Sequence, residues 1–396
     1  MLQRAIVESV SEARAMIKEL GLRGIDWGED NRRLSRLALQ EVLEQSMEGH
    51  IDWHLENMRQ QSREDRRNGY YSRHLLTELG DIELHIPRTR RISGVKVIQK
   101  YARRCSSIDR SILACFVFGL STRKVSEALF GILGERVSAT TVSNVAKTLD
   151  SAVRAFHRRR LHNWYRALIL DGVVLKRKTG AGSVKRHILV ALGIRPDGRK
   201  EIIDFRVARS ESAAEWERFL TSLYNRGLDE ERLEIICVDG GSGLLASLPV
   251  VYPEIPLQRC WAHKMRNLTD KVRRDDREAV KKDLQKIYRA ASERSARSQA
   301  SRFARKWTDT YPKVVNSLRQ DLEDLLAFFY FDDEEWRKAT RTTNYIERMF
   351  VEVRRRTRPM GVFSDKTSMD RILFAVFTYE NKKQGTMTPF LVTHNS

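Results

Sequence analysis

Two aspartates follow apolar runs in the same way, and their type and spacing make them candidates for chemistry. Asp171 follows the run ALIL and Asp239 follows the run EIICV, and each is followed by glycine. An ionised carboxylate beside a buried strand is costly unless a partner neutralises it. That partner could be a salt bridge, a hydrogen-bonded turn, or divalent cations held between neighbouring strands. Because Asp-Gly is a common turn signal, either aspartate alone is more typical of a turn than of a metal site.

A third acidic residue, Glu347, lies in a basic segment, RTTNYIERMFVEVRRRTRP. Its spacing from Asn344 matches a helix capping box, in which Asn344 is the N-cap and Glu347 bonds back to it. A first-turn carboxylate held in this way could still face a sheet. Glu352 is the alternative carboxylate on the same helix, but five residues further on it is rotated by about 140° and cannot point the same way.

Phosphodiester chemistry explains why three such acids would occur together in a basic protein. Oxygen ligands on two adjacent strands and one helix can hold two Mg²⁺ ions about 4 Å apart, and Mn²⁺ could take their place. One ion would activate a water or a 3′-hydroxyl and the other would stabilise the leaving oxygen. The sequence therefore predicts Asp171, Asp239 and Glu347 as catalytic residues and metal ligands, with nearby arginines holding the DNA backbone.

The composition of the chain indicates a polyanionic partner. Its 396 residues include 72 Lys and Arg against 52 Asp and Glu, a formal net charge of +20. Clustered Lys and Arg gain free energy by displacing counterions from phosphates, so nucleic acid is the expected partner. A protein that only coats nucleic acid would usually be shorter and poorer in buried apolar strands than this chain, which is 41% hydrophobic.

Neither a membrane nor an exported protein is expected from the sequence. The longest apolar run, ILACFVFGL, is far shorter than the roughly 18 to 20 residues that cross a bilayer. The first residues, MLQRAIVESVSEARAMIKEL, are interrupted by acidic side chains where a signal peptide would be apolar. The four cysteines are then expected to be reduced thiols in a cytoplasmic protein.

The first half of the chain contains three kinds of segment. Residues 1–65 have helical periodicity and predict a region suited to support or oligomerisation. Residues 66–105 alternate as strands do, with Asn68-Gly69 and Gly80-Asp81 as turns, and predict a small β-hairpin followed by a basic strip. Residues 106–160 predict three helices around a Gly-Leu-Ser turn.

The three helices of residues 106–160 are typical of a helix-turn-helix DNA-binding module, with Ser138 or Thr140 capping the third. An ordinary three-helix packing unit is the alternative, because helix-turn-helix motifs have loose sequence signatures.

The second half of the chain predicts an α/β fold. Residues 161–263 contain three strands of an antiparallel meander, a helix that ends at Gly227, a buried strand and a last short strand. Residues 264–335 are almost purely helical in pattern, residues 336–385 return to the segment of Glu347, and residues 386–396 form a tail.

Side chains expected to contact DNA lie in the basic strip, in helix N-terminal turns, or on the helix of Glu347. They are Arg88, Arg90, Arg91, Lys96, Arg123, Lys124, Thr140, Thr141, Asn144, Arg348, Arg354, Arg355, Arg356 and Arg358.

Seven motifs in fixed order carry a resemblance to a known family. They are RNGYYSRHLLTELGDIELHIPRTR, GLSTRKVSEAL, LILDGV, ESAAEWERFL, VDGGSGL, QRCWAHKMRNL and TTNYIERMFVEVRRRTRPMGVF. From about Arg66 to about Asn381 the sequence resembles the mutator-type family of bacterial insertion-sequence transposases. The resemblance implies a ribonuclease H-like catalytic core whose DDE triad is Asp171, Asp239 and Glu347, with residues 264–335 as an all-helical insertion.

The resemblance also draws attention to Cys260 and His263 in QRCWAHKM, which match a family signature and would support the active site or contact DNA. A structural zinc site would need four ligands, and only Cys237 could join these two. A buried cysteine beside a packing histidine is the plainer alternative.

The activity that the resemblance implies is transposition. Such a protein binds the terminal inverted repeats of its own element, cleaves at the 3′ ends, and joins the resulting hydroxyls to target DNA in the nucleoid of a bacterium. Because the two ends must be paired, at least a homodimer on DNA is expected. Two alternatives are a ribonuclease H-like nuclease without strand transfer, and a catalytically inactive DNA-binding regulator.

Overall fold

A computed structural model of the chain describes residues 27–94, 103–133, 136–179, 182–358 and 366–386. Expectations for residues 1–26, for Lys96 within the basic strip, and for the tail beyond residue 386 therefore lie outside the described residues. The chain divides into two compact units, Met1–Cys115 with Thr122–Val145, and Phe116–Ser121 with Ala146–Ser396. The division falls within residues 106–160, for which the sequence pattern predicts one domain.

The first unit combines a long helix with a hairpin. Helix α1 (Trp27–Gln60) precedes two antiparallel strands, β1 (Arg67–Thr77) and β2 (Gly80–Thr89). Because side chains alternate along a strand, Leu84 and Ile86 share one face of β2, where they pack with Met47 of α1. The two strands form the predicted antiparallel hairpin, but its turn lies at residues 78–79, because Gly80 and Asp81 already belong to β2.

The predicted turn at Asn68-Gly69 is wrong, because both residues lie inside β1. Gly69 has a φ of 67°, and the pairing with β2 shifts register between Arg67 and Tyr70. A glycine with positive φ beside such a shift is typical of a β-bulge, so the same residues bend the strand without reversing it.

Three short helices follow the hairpin. They are α2 (Ser106–Val117), α3 (Thr122–Leu133) and α4 (Ala139–Lys147). The predicted turn occupies residues 118–121, with Gly119 at a φ of 96°. Ser138 is the residue that caps α4, since its Oγ accepts a hydrogen bond from the Thr141 N–H at 3.1 Å.

The second unit contains a five-stranded mixed sheet, so the predicted α/β class is confirmed. After α5 (Leu149–Arg158), the strands β3 (Ala167–Thr179), β4 (Gly182–Ile194) and β5 (Lys200–Ala208) form the predicted antiparallel meander. Then come α6 (Ala213–Asn225), β6 (Ile235–Val238), α7 (Ser242–Val251) and β7 (Leu257–Arg259). The strand order is β5-β4-β3-β6-β7, and β6 is parallel to both of its neighbours.

A helical region separates β7 from the helix of Glu347. It comprises α8 (Trp261–Thr269), α9 (Arg277–Tyr288), α10 (Glu293–Trp307), α11 (Pro312–Gln320), α12 (Leu322–Leu326) and α13 (Glu334–Thr340). Its apolar side chains, among them Leu284, Phe303 and Leu318, form a core of their own. Two further helices follow, α14 (Asn344–Thr357) and α15 (Lys366–Lys383).

Helices cover both faces of the sheet. Leu168 and Leu170 of β3 pack on one face with side chains of α6 and α7. Ala167 and Ile169 pack on the other face with side chains of α5, α14 and α15. This alternation explains the continuous apolar run of β3, because a strand buried on both faces needs no polar side. Within the described ranges, no helix is long and apolar enough to cross a bilayer.

Candidate active site

The two aspartates lie on neighbouring parallel strands. Leu170 of β3 pairs with Val238 of β6, so the next residue of each strand places Asp171 beside Asp239. Asp171 lies within β3, which continues to Thr179, and a turn at this position is therefore excluded. Asp239 follows the last residue of β6, and its Oδ1 accepts the Gly241 N–H at 2.8 Å. The turn interpretation thus holds for Asp239 alone.

Asp171 occupies an environment that disfavours its charge. Its side chain is buried, and this burial together with the charge of Asp239 raises the pKa of Asp171 to about 7, although its Oδ1 accepts the Gly172 N–H at 2.7 Å. Two carboxylates this close repel each other, and a cation between them would favour the ionised form of both.

The predicted capping box at Glu347 is wrong. Helix α14 has Thr343 as its N-cap, and no side chain there makes a capping hydrogen bond. The carboxylate of Glu347 instead faces two basic side chains, with Oε1 at 3.2 Å from His263 Nε2 and at 3.7 Å from an Arg266 nitrogen. Charge attraction from α8 therefore sets the direction of Glu347.

Cys260 and His263 belong to one hydrogen-bond network at the start of α8. Cys260 Sγ accepts the Thr343 N–H at 3.2 Å, and Thr343 Oγ1 lies 3.3 Å from His263 Nδ1. Burial alone would raise the pKa of Cys260, but hydrogen bonds with His263 and Thr343 lower it. The hydrogen bond with Cys260 and the charges of Asp171 and Glu347 raise the pKa of His263 to about 9, so its ring is cationic at neutral pH.

Metal coordination is not preformed at these side chains. In the part of the chain that the structure describes, no group of three or more His, Cys, Asp or Glu side chains is placed to hold a metal ion. Glu347 is turned toward His263, and Cys260 is engaged by Thr343.

A cavity of about 540 Å³ opens in front of Asp171 and Glu347. His263, Arg266, Arg348 and Arg354 also line it, whereas Asp239 is not among its described lining residues. Cationic side chains around the buried Asp171 and the half-buried Glu347 suit a ligand that brings its own negative charge, such as a phosphodiester strand.

The arginines of α14 and Arg358, which directly follows the helix, differ in their accessibility. Arg348 and Arg358 are exposed, and Arg355 is exposed while its guanidinium binds Glu352 at 2.7 Å. Arg356 departs from the expectation of DNA contact, because it is only 3% exposed and its Nη1 donates to Glu352 Oε2 at 2.6 Å. Glu352 thus neutralises a buried arginine.

The expected DNA contacts of the first unit are mostly on its surface. Arg88, Arg90, Arg91, Arg123, Lys124, Thr140 and Asn144 are exposed, and Thr141 is half-buried. Arg88 Nε donates to the Asn68 carbonyl at 2.9 Å, and Thr141 Oγ1 accepts the Ser138 hydroxyl at 3.0 Å.

Three further residues beside the candidate site are not among those that the sequence motifs predict. Arg266 follows His263 by three positions, a spacing that places both on one face of α8 and could have identified it. Arg259 Nη2 and Glu211 Oε1 lie 2.7 Å and 2.5 Å from where a Cβ would stand on Gly240 and Gly172. A Cβ at either glycine would displace these side-chain ends, and Gly240 also has a φ of 95°, which favours glycine. Each glycine directly follows a candidate catalytic aspartate.

A mixed α/β sheet with Asp171 and Glu347 at a cavity lined by arginines has the chemistry that suits a protein acting on nucleic-acid phosphodiesters. Residues 12–384 match the family model described as Transposase, Mutator family. The chain therefore belongs to the Mutator family of transposases, which are enzymes, and the resemblance seen in the motifs is confirmed.

Relatives with assigned names are similar over most of their length. The transposase for insertion sequence element IS905 of Lactococcus lactis subsp. lactis (strain IL1403) is 33% identical over 320 residues, 81% of each chain. The transposase for ISRM5 of Rhizobium meliloti (strain 1021) is 31% identical over 374 residues, 93% of this chain and 92% of the relative. The transposase for IS1081 of Mycobacterium tuberculosis (strain ATCC 25618 / H37Rv) is 33% identical over 327 residues, 82% of this chain and 78% of the relative.

Proposed function

We propose that the chain is a DDE transposase of a bacterial insertion sequence, with Asp171, Asp239 and Glu347 as its catalytic residues. It binds the terminal inverted repeats of its own element, cleaves at the 3′ ends and transfers them to target DNA. The observation that carries this proposal is the pairing of Leu170 with Val238, which sets the two aspartates side by side near a cavity that Glu347 and arginines line.

The fold supports the same proposal. Three antiparallel strands continued by two parallel strands, with helices on both faces, suit a ribonuclease H-like core. The candidate acids then come from the central strand β3, its parallel neighbour β6 and helix α14.

The donor set fits divalent cations, which we propose to be two Mg²⁺ ions, with Mn²⁺ as a substitute. Asp171 and Asp239 offer hard oxygen donors whose mutual repulsion a cation would relieve, and this repulsion already contributes to the raised pKa of Asp171. Glu347 would complete the site by leaving His263, which now lies 3.2 Å away. When bound, the ions supply Lewis acidity at the phosphate and at the attacking oxygen.

The other side chains of the cavity would hold and orient the DNA. Arg348 and Arg354 line the wall beside Glu347 and can bind the phosphates that flank the scissile bond. His263, which is cationic at neutral pH, would keep Glu347 turned into the cavity until the site is assembled. Cys260 would support this arrangement through Thr343.

Recognition of the inverted repeats falls to the first unit in this proposal. Helices α2, α3 and α4 would act as a helix-turn-helix module, with Arg123, Lys124 and Asn144 exposed for contact with DNA. The ends of an element must be held together for strand transfer, so a homodimer or larger assembly on DNA is part of the proposal.

The test is a cleavage and joining assay with the full chain, Mg²⁺ and labelled DNA that carries the end of the element. Asp171→Asn, Asp239→Asn and Glu347→Gln should each lower both reactions by on the order of a thousandfold. Binding measured in EDTA should remain. The matched control is Glu254→Gln, which neutralises an exposed acid outside the cavity.

Each alternative function has its own result in this assay. Cleavage without joining would identify a nuclease, and a shifted band without cleavage by the wild type would identify a regulator. Full activity in any of the three variants would contradict the assignment of that residue.

A further inference from the structure

A second cavity, of about 520 Å³, lies next to the first within the second unit. Asn344 and Arg348, in the first turns of α14, line both cavities. The aromatic part of its wall comes from Trp261, Tyr288 and Tyr345. No Asp or Glu occurs among the lining residues that the structure describes.

The second cavity is also rich in positive charge. Lys200, Lys281, Lys338, Arg341 and Arg348 line it. Lys338 is neutralised by two exposed glutamates at 3.0 and 3.2 Å, and Lys281 pairs with the exposed Glu278 at 3.6 Å. Within the described ranges, Lys200, Arg341 and Arg348 form no salt bridge. Burial and the charge of Arg348 lower the pKa of Lys200, although the charge of Glu335 opposes this shift.

The cations are arranged against the aromatic rings. Lys200 Nζ lies 4.7 Å from the centre of the Tyr345 ring, and Arg341 Cζ lies 5.3 Å from the centre of the Tyr288 ring. A nucleotide combines a flat base with an anionic phosphate, and proteins bind unpaired nucleotides with aromatic rings, guanidinium planes and a basic groove. The chemistry of the wall therefore matches one nucleotide.

The size of the second cavity excludes a duplex. Its volume falls within the range of about 300 to 1,000 Å³ that is usual for small-molecule sites. A base can enter such a site only from a single strand or by leaving its stack.

We propose that the second cavity binds one unpaired nucleotide of the DNA end, with its phosphate on Lys200, Lys281 and Arg348 and its base against Tyr288 and Tyr345. This inference rests on the proposed function and adds a subsite to it. Because Arg348 lines both cavities, the bound nucleotide belongs to the strand that also passes Glu347, close to the cleaved bond.

The test compares DNA ends that are fully paired with ends that carry one unpaired nucleotide, placed in turn at each position around the junction of element and flank. Binding to the full chain is measured by fluorescence anisotropy in EDTA, so that the result does not depend on catalysis. At one position we expect the wild type to bind the unpaired probe about tenfold more tightly than the paired one.

Two lysines that are adjacent on α9 provide a matched pair of variants. Lys281 lines the second cavity, whereas Lys282 is exposed and does not. Lys281→Gln should reduce the preference for the unpaired probe about threefold. The double variant Lys281→Gln with Lys200→Gln should bind the paired and the unpaired probe about equally well. Lys282→Gln removes the same charge from the same helix and should keep the preference. Thermal melting verifies that each variant is folded.

The remaining outcomes would overturn the subsite. One is a wild type without preference at any position, and another is a double variant that keeps the preference. A third is equal weakening of paired and unpaired probes, which would mean that these lysines hold duplex backbone. Cleavage of the paired end in Mg²⁺ is measured in parallel. If the wild type cleaves the paired end but has no preference for an unpaired nucleotide, only the subsite proposal is refuted. If it has the preference but does not cleave, only the proposed function is refuted.

Discussion

Asp321, at the start of α12, neutralises two cations that bracket Cys260 and His263. Its carboxylate pairs with the guanidinium of Arg259 and with the ammonium of Lys264. Arg259 ends β7, and its guanidinium also covers the glycine after Asp239. Asp321→Asn removes the charge that holds these groups while keeping the size of the side chain.

The expected cost follows from burial. Breaking a buried ion pair costs about 3 to 5 kcal/mol, whereas breaking an exposed pair costs about 1 kcal/mol or less. Lys264 is only 6% exposed, but it keeps hydrogen bonds to the carbonyl and hydroxyl of Ser317 at 2.8 and 2.9 Å. We therefore expect Asp321→Asn to cost about 2 to 3 kcal/mol, which is about a 30- to 150-fold increase in local opening.

Hydrogen–deuterium exchange with mass spectrometry measures this opening directly. Peptides that cover residues 257–269 should lose protection by that factor, while peptides of β4 should not change. Arg259→Gln should have a smaller effect, because Lys264 would still neutralise Asp321. The matched control is Glu323→Gln on the same helix, whose partner Arg297 is on the surface. Unchanged protection of residues 257–269 in Asp321→Asn would refute the reasoning.

Two further predictions concern stability. Burial favours neutral Asp283, but hydrogen bonds from Lys286 and Lys306 hold its pKa at about 2, below the ordinary 3.8. The depressed pKa stabilises the fold above about pH 4, and this stabilisation is lost as the pH falls toward 2. Asp283→Asn should therefore cost about 1 to 2 kcal/mol of stability at pH 7 and less at pH 3. Gly119→Ala would place a Cβ 2.5 Å from the Arg356 carbonyl oxygen at a φ of 96°, and should cost about 3 kcal/mol.

Urea denaturation followed by circular dichroism measures both changes. An equal cost of Asp283→Asn at pH 7 and pH 3 would contradict the assigned pKa. For glycine, Gly131→Ala in α3 is the control, because no atom lies within 4 Å of its added Cβ and alanine favours a helix. If both alanine variants have the stability of the wild type, the contact at Gly119 is not restrictive.

Local patterns predicted the parts of the fold that local physics determines. The meander follows from β-rich runs separated by TGAGSVK and RPDGRK, and the α4 cap follows from a serine placed before a helix. Asn68-Gly69 predicts a turn where the strand has a bulge, because Asn-Gly favours positive φ in both settings.

Side-chain partners from distant segments were not predictable in this way. Arg356 looks like a DNA contact in a row of arginines, yet the helix period buries it beside Glu352, four positions earlier. Likewise, Asn344 and Glu347 have the spacing of a capping box, but His263, contributed by another helix, attracts the glutamate. A pattern within one segment contains no information about charges that approach from another.

The position of Glu347 depends on how the two ends of the helical region are joined. The length of that region matters much less. The entropic cost of closing a flexible loop rises by only about 0.6 kcal/mol for each doubling of its length, so the chain between α8 and α14 can be long. The two ends of the helical region must instead be held together. The Trp261 N–H donates to the Arg341 carbonyl at 3.0 Å, and the Thr343 N–H donates to Cys260 Sγ at 3.2 Å.

These two hydrogen bonds join the start of α8 to the N-terminal end of α14. A helix is rigid over its first turn, so fixing Thr343 also fixes the rotation of α14 and hence the direction of Glu347. In this arrangement Cys260 sets where the helix begins and His263 sets where its glutamate points. The spacing of Cys260 and His263 therefore suits the geometry of a helix start, because the first residue contacts Thr343 and the second contacts Glu347 one turn later.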